Sequence, residues 1–241
     1  MSVISWIMAA AANAAGGFVV AVCGFGLGPV VMSVLPYFMP YSRAVAVVGL
    51  CGLAANLMLA WSDRKAINVK TLLPCVAGGL IASTLAVSLS AGAAEKLMLR
   101  SLGVMLIALS IYSVFFSGRL RIRATARNGF IAGLAAGTLT GAFSAGGPPI
   151  AIYMLAAAQD NSEYRGTLNA YFSIVNICAA FNRLRTGTLT APDFLLCAQM
   201  LAAIMLGKRL GNKVFHRLDP VLLRKAVYAY LLISGLTMFF R

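Results

Sequence analysis

Apolar stretches of about 17 to 25 residues recur from one end of this chain to the other, the length an α-helix needs to cross the hydrocarbon core of a bilayer. Of the 241 residues 61% are hydrophobic and only 11% charged, so no segment is polar enough to form a separate soluble domain. In lipid every backbone N–H and C=O must be satisfied internally. Because the runs are continuous rather than alternating, they read as helices and not as barrel strands. The expected fold class is all-α membrane.

A net charge of +14 would suit a nucleic-acid binder, but the basic residues sit in short loops between apolar runs, as at Arg119, Arg121, Arg123 and Arg127. That placement is the topology signal of a membrane protein, with lipid headgroups as secondary partners and no nucleic acid. Cys23, Cys51, Cys75, Cys178 and Cys197 stand singly in apolar segments, so neither a disulfide framework nor a metal site is expected, and no cofactor is implied. Ala12-Asn13-Ala14 resembles a signal-peptide cleavage site, yet no Lys or Arg occurs before Arg43. The first segment is therefore expected to be retained.

Ten helical segments are expected, at 3–22, 29–39, 44–61, 71–89, 97–116, 129–143, 148–158, 167–181, 191–206 and 221–240. The second and seventh, at about 1.5 Å per residue, cover only about half of a ~30 Å core. Each follows a glycine-rich break, Gly24-Phe25-Gly26-Leu27-Gly28-Pro29 in one case and Ser144-Ala145-Gly146-Gly147-Pro148-Pro149 in the other. These breaks belong to an internal repeat. Gly28-Pro29 matches Gly147-Pro148, Tyr41-Ser42-Arg43 matches Glu163-Tyr164-Arg165, and Leu99-Arg100 matches Leu223-Arg224, at offsets of 119, 122 and 124. The chain divides into a first repeat, 1–117, a basic cytoplasmic linker, 118–128, and a second repeat, 129–241.

Charge counting orients the repeats. If each short piece is the returning arm of a re-entrant hairpin, each half crosses an odd number of times and the repeats are inverted. With the N-terminus outside, the cytoplasmic face then holds 14 of the 20 basic residues, with Arg183 and Arg185 among the exceptions. Parallel halves would divide them ten and ten. The positive-inside rule favours the inverted arrangement in the cell inner membrane, each hairpin followed by three transmembrane helices, about eight transmembrane elements in all.

Pro29 and Pro148 mark helix N-termini, because proline at a first helical position is pre-organised and gives up no needed hydrogen bond. A half-helix starting near mid-membrane presents free N–H groups and the positive end of its dipole, an anion site that needs no intramembrane lysine. No Lys or Arg is expected deep in an apolar segment, which leaves backbone dipoles as the source of positive potential. Two such helix ends related by inverted symmetry would cup one anion. The bland alternative is that glycines and prolines in the breaks serve only close helix packing.

Taken with their order and spacing, Gly146-Gly147-Pro148, its counterpart Gly26-Leu27-Gly28-Pro29, Arg165-Gly166-Thr167 and Leu218-Asp219-Pro220 carry a resemblance. The chain resembles the sulfite exporter TauE/SafE family of membrane transporters over nearly its whole length. The resemblance implies movement of sulfite, sulfoacetate, related organosulfonates or thiosulfate, by export or uptake. Cys23 and Phe25 around Gly24 depart from that family's more glycine-rich first half.

The candidate substrate-binding residues are thus Gly26, Gly28, Pro29, Ser144, Gly146, Gly147 and Pro148, with three side-chain amides added on spacing. Asn169, Ser173 and Asn176 share one helix face, and Asn56 shares a face with Gly49 and Gly52 in the equivalent first-half segment. Sulfonate binding and interhelical hydrogen bonding are both open to them. Arg183 continues the stripe seven residues on, near the segment end, where a long cation snorkels to the interface or meets the anion at the mouth. Arg43 and Arg165 occupy matching positions and serve either as topology markers or as attractors of anions. His216 is expected in an exposed basic loop.

All six carboxylates fall in loops or at segment ends, so no proton relay or intramembrane cation site is evident. The membrane potential alone would favour anion export, by about 2.3 kcal/mol per charge per 100 mV. A membrane-embedded hydrolase is the rival class. It needs a nucleophile with a base, a metal or a carboxylate pair, and Ser144 stands without such a partner in the sequence. The expectation is a transporter with no catalytic residue and a small anion as its partner, with a homo-oligomer left open.

Overall fold

The computed structural model describes residues 3–23, 26–115, 123–215 and 220–240. Gly24 and Phe25 of the first break, Arg119 and Arg121 of the linker, and His216, Leu218 and Asp219 before the last helix lie outside the described residues.

Among the described residues there are ten α-helices and no strand: α1 (Val3–Cys23), α2 (Leu27–Met32), α3 (Tyr41–Ser62), α4 (Val69–Ala91), α5 (Glu95–Phe115), α6 (Ala126–Phe143), α7 (Gly147–Ala157), α8 (Asn161–Arg185), α9 (Ala191–Phe215) and α10 (Pro220–Phe239). Four of them are long and apolar enough to cross a membrane, at Tyr41–Ser62, Val69–Ala91, Glu95–Ser113 and Ala191–Gly211.

Two elements differ from the sequence expectation, each for a local reason. The second segment is not one helix over 29–39, because α2 stops after six residues and a 3-10 turn, Leu35–Tyr37, follows. Ser33 ends α2 by turning its hydroxyl onto Val30 O at 2.7 Å, and Pro36 then withholds a backbone donor. The eighth segment is longer than its apolar part. Asp160 caps α8 by accepting from Glu163 N at 2.8 Å, while Glu163 Oε2 accepts from Gln159 N at 3.1 Å, so a polar first turn is held in helix by capping.

The chain gathers into two compact units, one built from 1–48, 92–119 and 191–241 and the other from 49–91 and 120–190. In the first, α1 lies along α9 and α5 along α10. In the second, α4 lies along α6, with α7 and α8 completing the packing. Glycines let these pairs approach main chain to main chain. A Cβ on Gly133 would run into the backbone of Cys75, one on Gly137 into Gly79, one on Gly17 into Ile204 and one on Gly207 into Ala14. This is the small-residue packing of membrane helices, where apolar side chains gain nothing by leaving lipid.

Tyr171 anchors the second unit. It is fully buried among Ile150, Met154, Val175 and Cys75, and its hydroxyl donates to Gly133 O at 3.0 Å. The outward faces are apolar. On α4, Leu73, Ile81, Leu85 and Leu89 form an exposed stripe while Ser83 on the same helix is buried, the reverse of a helix that meets water.

Candidate functional site

At the second break, α6 ends because Ser144 takes a left-handed conformation, φ 52° and ψ 33°. Ser144 N donates to Thr140 O at 3.0 Å, the bond of a left-handed helix ending, and Ala145 N donates to Leu139 O at 3.3 Å. Glycine is the usual occupant of such a position, so a serine there carries backbone strain. Gly146 then caps α7, which starts at Gly147 with Pro148 as its second residue. The helix therefore begins one residue before the proline expected to open it. Pro148 and Pro149 both lack N–H, so fewer donors remain at this N-terminus than a glycine-rich start implies. Gly146 admits no side chain, since a Cβ would collide with Thr140 Oγ1 and Ala136 O. The Thr140 hydroxyl is buried and has no hydrogen-bond partner among the described residues.

Arg183 corrects the expectation drawn from its position near a helix end. Its charge does not snorkel, because the residue is only 4% exposed. Nη2 donates to Gly141 O at 2.8 Å and Thr140 O at 3.3 Å, in the last turn of α6. Nη1 lies against Gly49 of α3. The point where a Gly49 Cβ would stand touches Nη1 and is 3.0 Å from Ser144 Oγ. A cation is thus buried beside the break, although it stands in the last turn of α8 and not deep in an apolar segment.

At the first break, Gly26 caps α2 with φ 118°, a conformation that favours glycine. Gly28 and Pro29 are buried as the second and third residues of α2. Six residues sum to a small dipole, so this break is the weaker electrostatic element of the two. Ser33 Oγ is 2.8 Å from Tyr230 Oη, which ties the end of α2 to α10.

The asparagines separate. Asn169 donates to Arg165 O at 2.7 Å and Ser173 to Asn169 O at 2.8 Å, so both are turned onto their own helix. Asn176, buried on the same face, makes no hydrogen bond among the described residues. Asn56 is half-buried. Arg43 binds the buried Asp193 at 2.7 Å in the first unit, and Arg165 binds Asp63 at 2.9 Å in the second. Among the described residues no three or more His, Cys, Asp and Glu side chains converge where a metal could sit.

Sequence reasoning passed over Thr140, Asp193 and the role of Gly49. Only Gly49 left a trace, as part of the face read for Asn56. Nothing local marks Thr140, whose environment is made by the turn that follows it.

Apolar outward faces and ten helices among the described residues, two of them short and set at glycine-rich breaks, define a multi-pass helical membrane protein. The profile of the sulfite exporter TauE/SafE family matches residues 8–238, and the chain belongs to that family. Members of the family are transporters and not enzymes. Neither a curated protein nor a solved structure matches the chain.

Proposed function

We propose that this protein exports a small sulfur-containing anion, sulfite, sulfoacetate or a related organosulfonate, across the cell inner membrane. The observation that carries the binding site is α7, an eleven-residue helix starting in the buried break around Gly146. Its N-terminal end offers partial positive charge in surroundings that exclude water. In the same unit Asn176 and the half-buried Asn56, neither of them hydrogen-bonded among the described residues, have side-chain amides to offer.

Inverted repeats of 1–117 and 129–241, with the N-terminus outside, belong to the same reading. Three recurrences support them. Each half places a long helix, a glycine break and a short helix before three long helices. The first helix of each half packs on the fourth helix of the other, α1 on α9 and α6 on α4. Arg43 and Arg165, at matching starts of α3 and α8, each pair with an acid, Asp193 at the start of α9 and Asp63 just before α4.

The test is flux from proteoliposomes loaded with sulfite, sulfoacetate or, as control, sulfate. Sulfite or sulfoacetate should move saturably and faster than sulfate. Gly147→Val, which sets bulk over the amides, should reduce transport while the protein still inserts. Normal transport by that variant would show that the break serves packing alone.

A further inference from the structure

We propose that Arg183 is the charged ligand of the transported anion, gripping the oxygens of a sulfite or sulfonate headgroup at the second break beside the Thr140 hydroxyl. The proposal rests on the anion-carrier reading and assigns the positive charge within it.

Three observations bear on this one place. The first is the orientation of the guanidinium. Nη2 is fixed on carbonyls in the last turn of α6, Gly141 O at 2.8 Å and Thr140 O at 3.3 Å, which sets Nη1 toward Gly49 and the Ser144 side of the break. Gly49 is the second observation. Any side chain there would occupy the guanidinium's place, so the helix gives up a Cβ where the charge must stand. Third, Thr140 Oγ1 is buried without a partner, in contact with the missing Cβ of Gly146 at the cap of α7. A buried hydroxyl in that state is costly unless a ligand oxygen meets it.

The α7 N-terminus cannot supply the charge by itself. Pro148 and Pro149 remove two of its first donors, so the dipole acts through few N–H groups. A guanidinium makes up the shortfall with a full positive charge, and with Nη2 held on the carbonyls it is Nη1 that would meet an oxygen of an SO3 group. Asn176 lies two helical turns before Arg183 on the same stripe of α8, and its amide is unengaged among the described residues. The ligand class this defines is a small oxyanion with one SO3 head.

Arg183 also faces the negative end of α6, and that purely structural role must be told apart from ligand binding. The experiment measures sulfite dependence of flux, with protein melting as a parallel readout, in full-length Arg183→Gln, Arg183→Lys and Gly49→Ala. Loss of one charge-assisted grip should raise the half-saturating sulfite concentration about tenfold to hundredfold in Arg183→Gln. Arg183→Lys, which keeps the positive charge but cannot hold the carbonyls and reach the anion at once, should be intermediate. Gly49→Ala, which keeps the arginine but displaces it, should also weaken sulfite affinity. If Arg183→Gln does not fold, the other two variants decide. Unchanged half-saturation in Gly49→Ala and Arg183→Lys, with only melting lowered, overturns the assignment and leaves a helix-capping residue. Absence of saturable sulfite and sulfonate flux in the wild-type protein overturns the carrier reading itself.

Discussion

Ser144 does a glycine's work at φ 52°, and the discrepancy is measurable. A left-handed residue with a Cβ costs about 1–2 kcal/mol, partly offset by glycine's greater entropy in the unfolded chain. Ser144→Gly should therefore raise stability by about 1 kcal/mol in a detergent melting experiment. The same variant should bind sulfite less well, since it removes the hydroxyl facing Gly49 beside Arg183. No gain in stability would mean that the serine's own contacts already offset its strain. At this scale the sequence was partly legible. Helical spacing put Asn176 and Arg183 on one stripe, but the burial of Arg183 depends on a missing side chain at Gly49 and on carbonyls at Thr140 and Gly141. Those groups are remote in sequence, and no local pattern brings them together.

Among the elements, the α4–α6 contact should be the least forgiving. Gly129, Gly133, Gly137 and Gly141 recur at every fourth residue along α6, and Gly133 meets backbone, which cannot rotate out of the way. Gly133→Ala should destabilise by about 1–3 kcal/mol, whereas Gly92→Ala, where nothing lies within 4 Å of the new Cβ, should be near neutral. Equal melting temperatures for the two would refute the close packing. The ion pairs should also differ. Asp193→Asn, at a carboxylate 1% exposed, should cost about 2–3 kcal/mol. Asp63→Asn should cost about 1 kcal/mol or less, because its partner Arg165 is 53% exposed. Chemical denaturation of both variants checks the ranking. Helix positions were legible because hydropathy marks them, and the glycine spacing of α6 stands in the sequence just as plainly. The split of the second segment was not legible, since a serine hydroxyl and Pro36 decided it rather than periodicity.

For the whole molecule, the apolar runs by themselves made the membrane class plain. The particular anion was not legible, because selectivity depends on the shape left around an SO3 head and its tail. The proposed inverted topology makes a direct prediction. In a cysteine-free background, single cysteines at Arg123 and Arg127 should react with a membrane-impermeant reagent only from the cytoplasm, and one at Ser42 only from outside. Labelling of all three from one face would rule it out.

The main-chain contacts made by glycine carry a mechanical consequence. Helices separated by long side chains can slide, because rotamers shift and act as a lubricant. The pairs α1 with α9, α4 with α6, and α5 with α10, where Gly103 and Gly235 abut, have no such layer. Each pair should therefore move as a single plank, which would leave the bending of a transport cycle to segments without such a seam. Among the described residues these include the Ser144–Gly146 break and the turn after α2, so the proposed anion site would stand where the protein can flex.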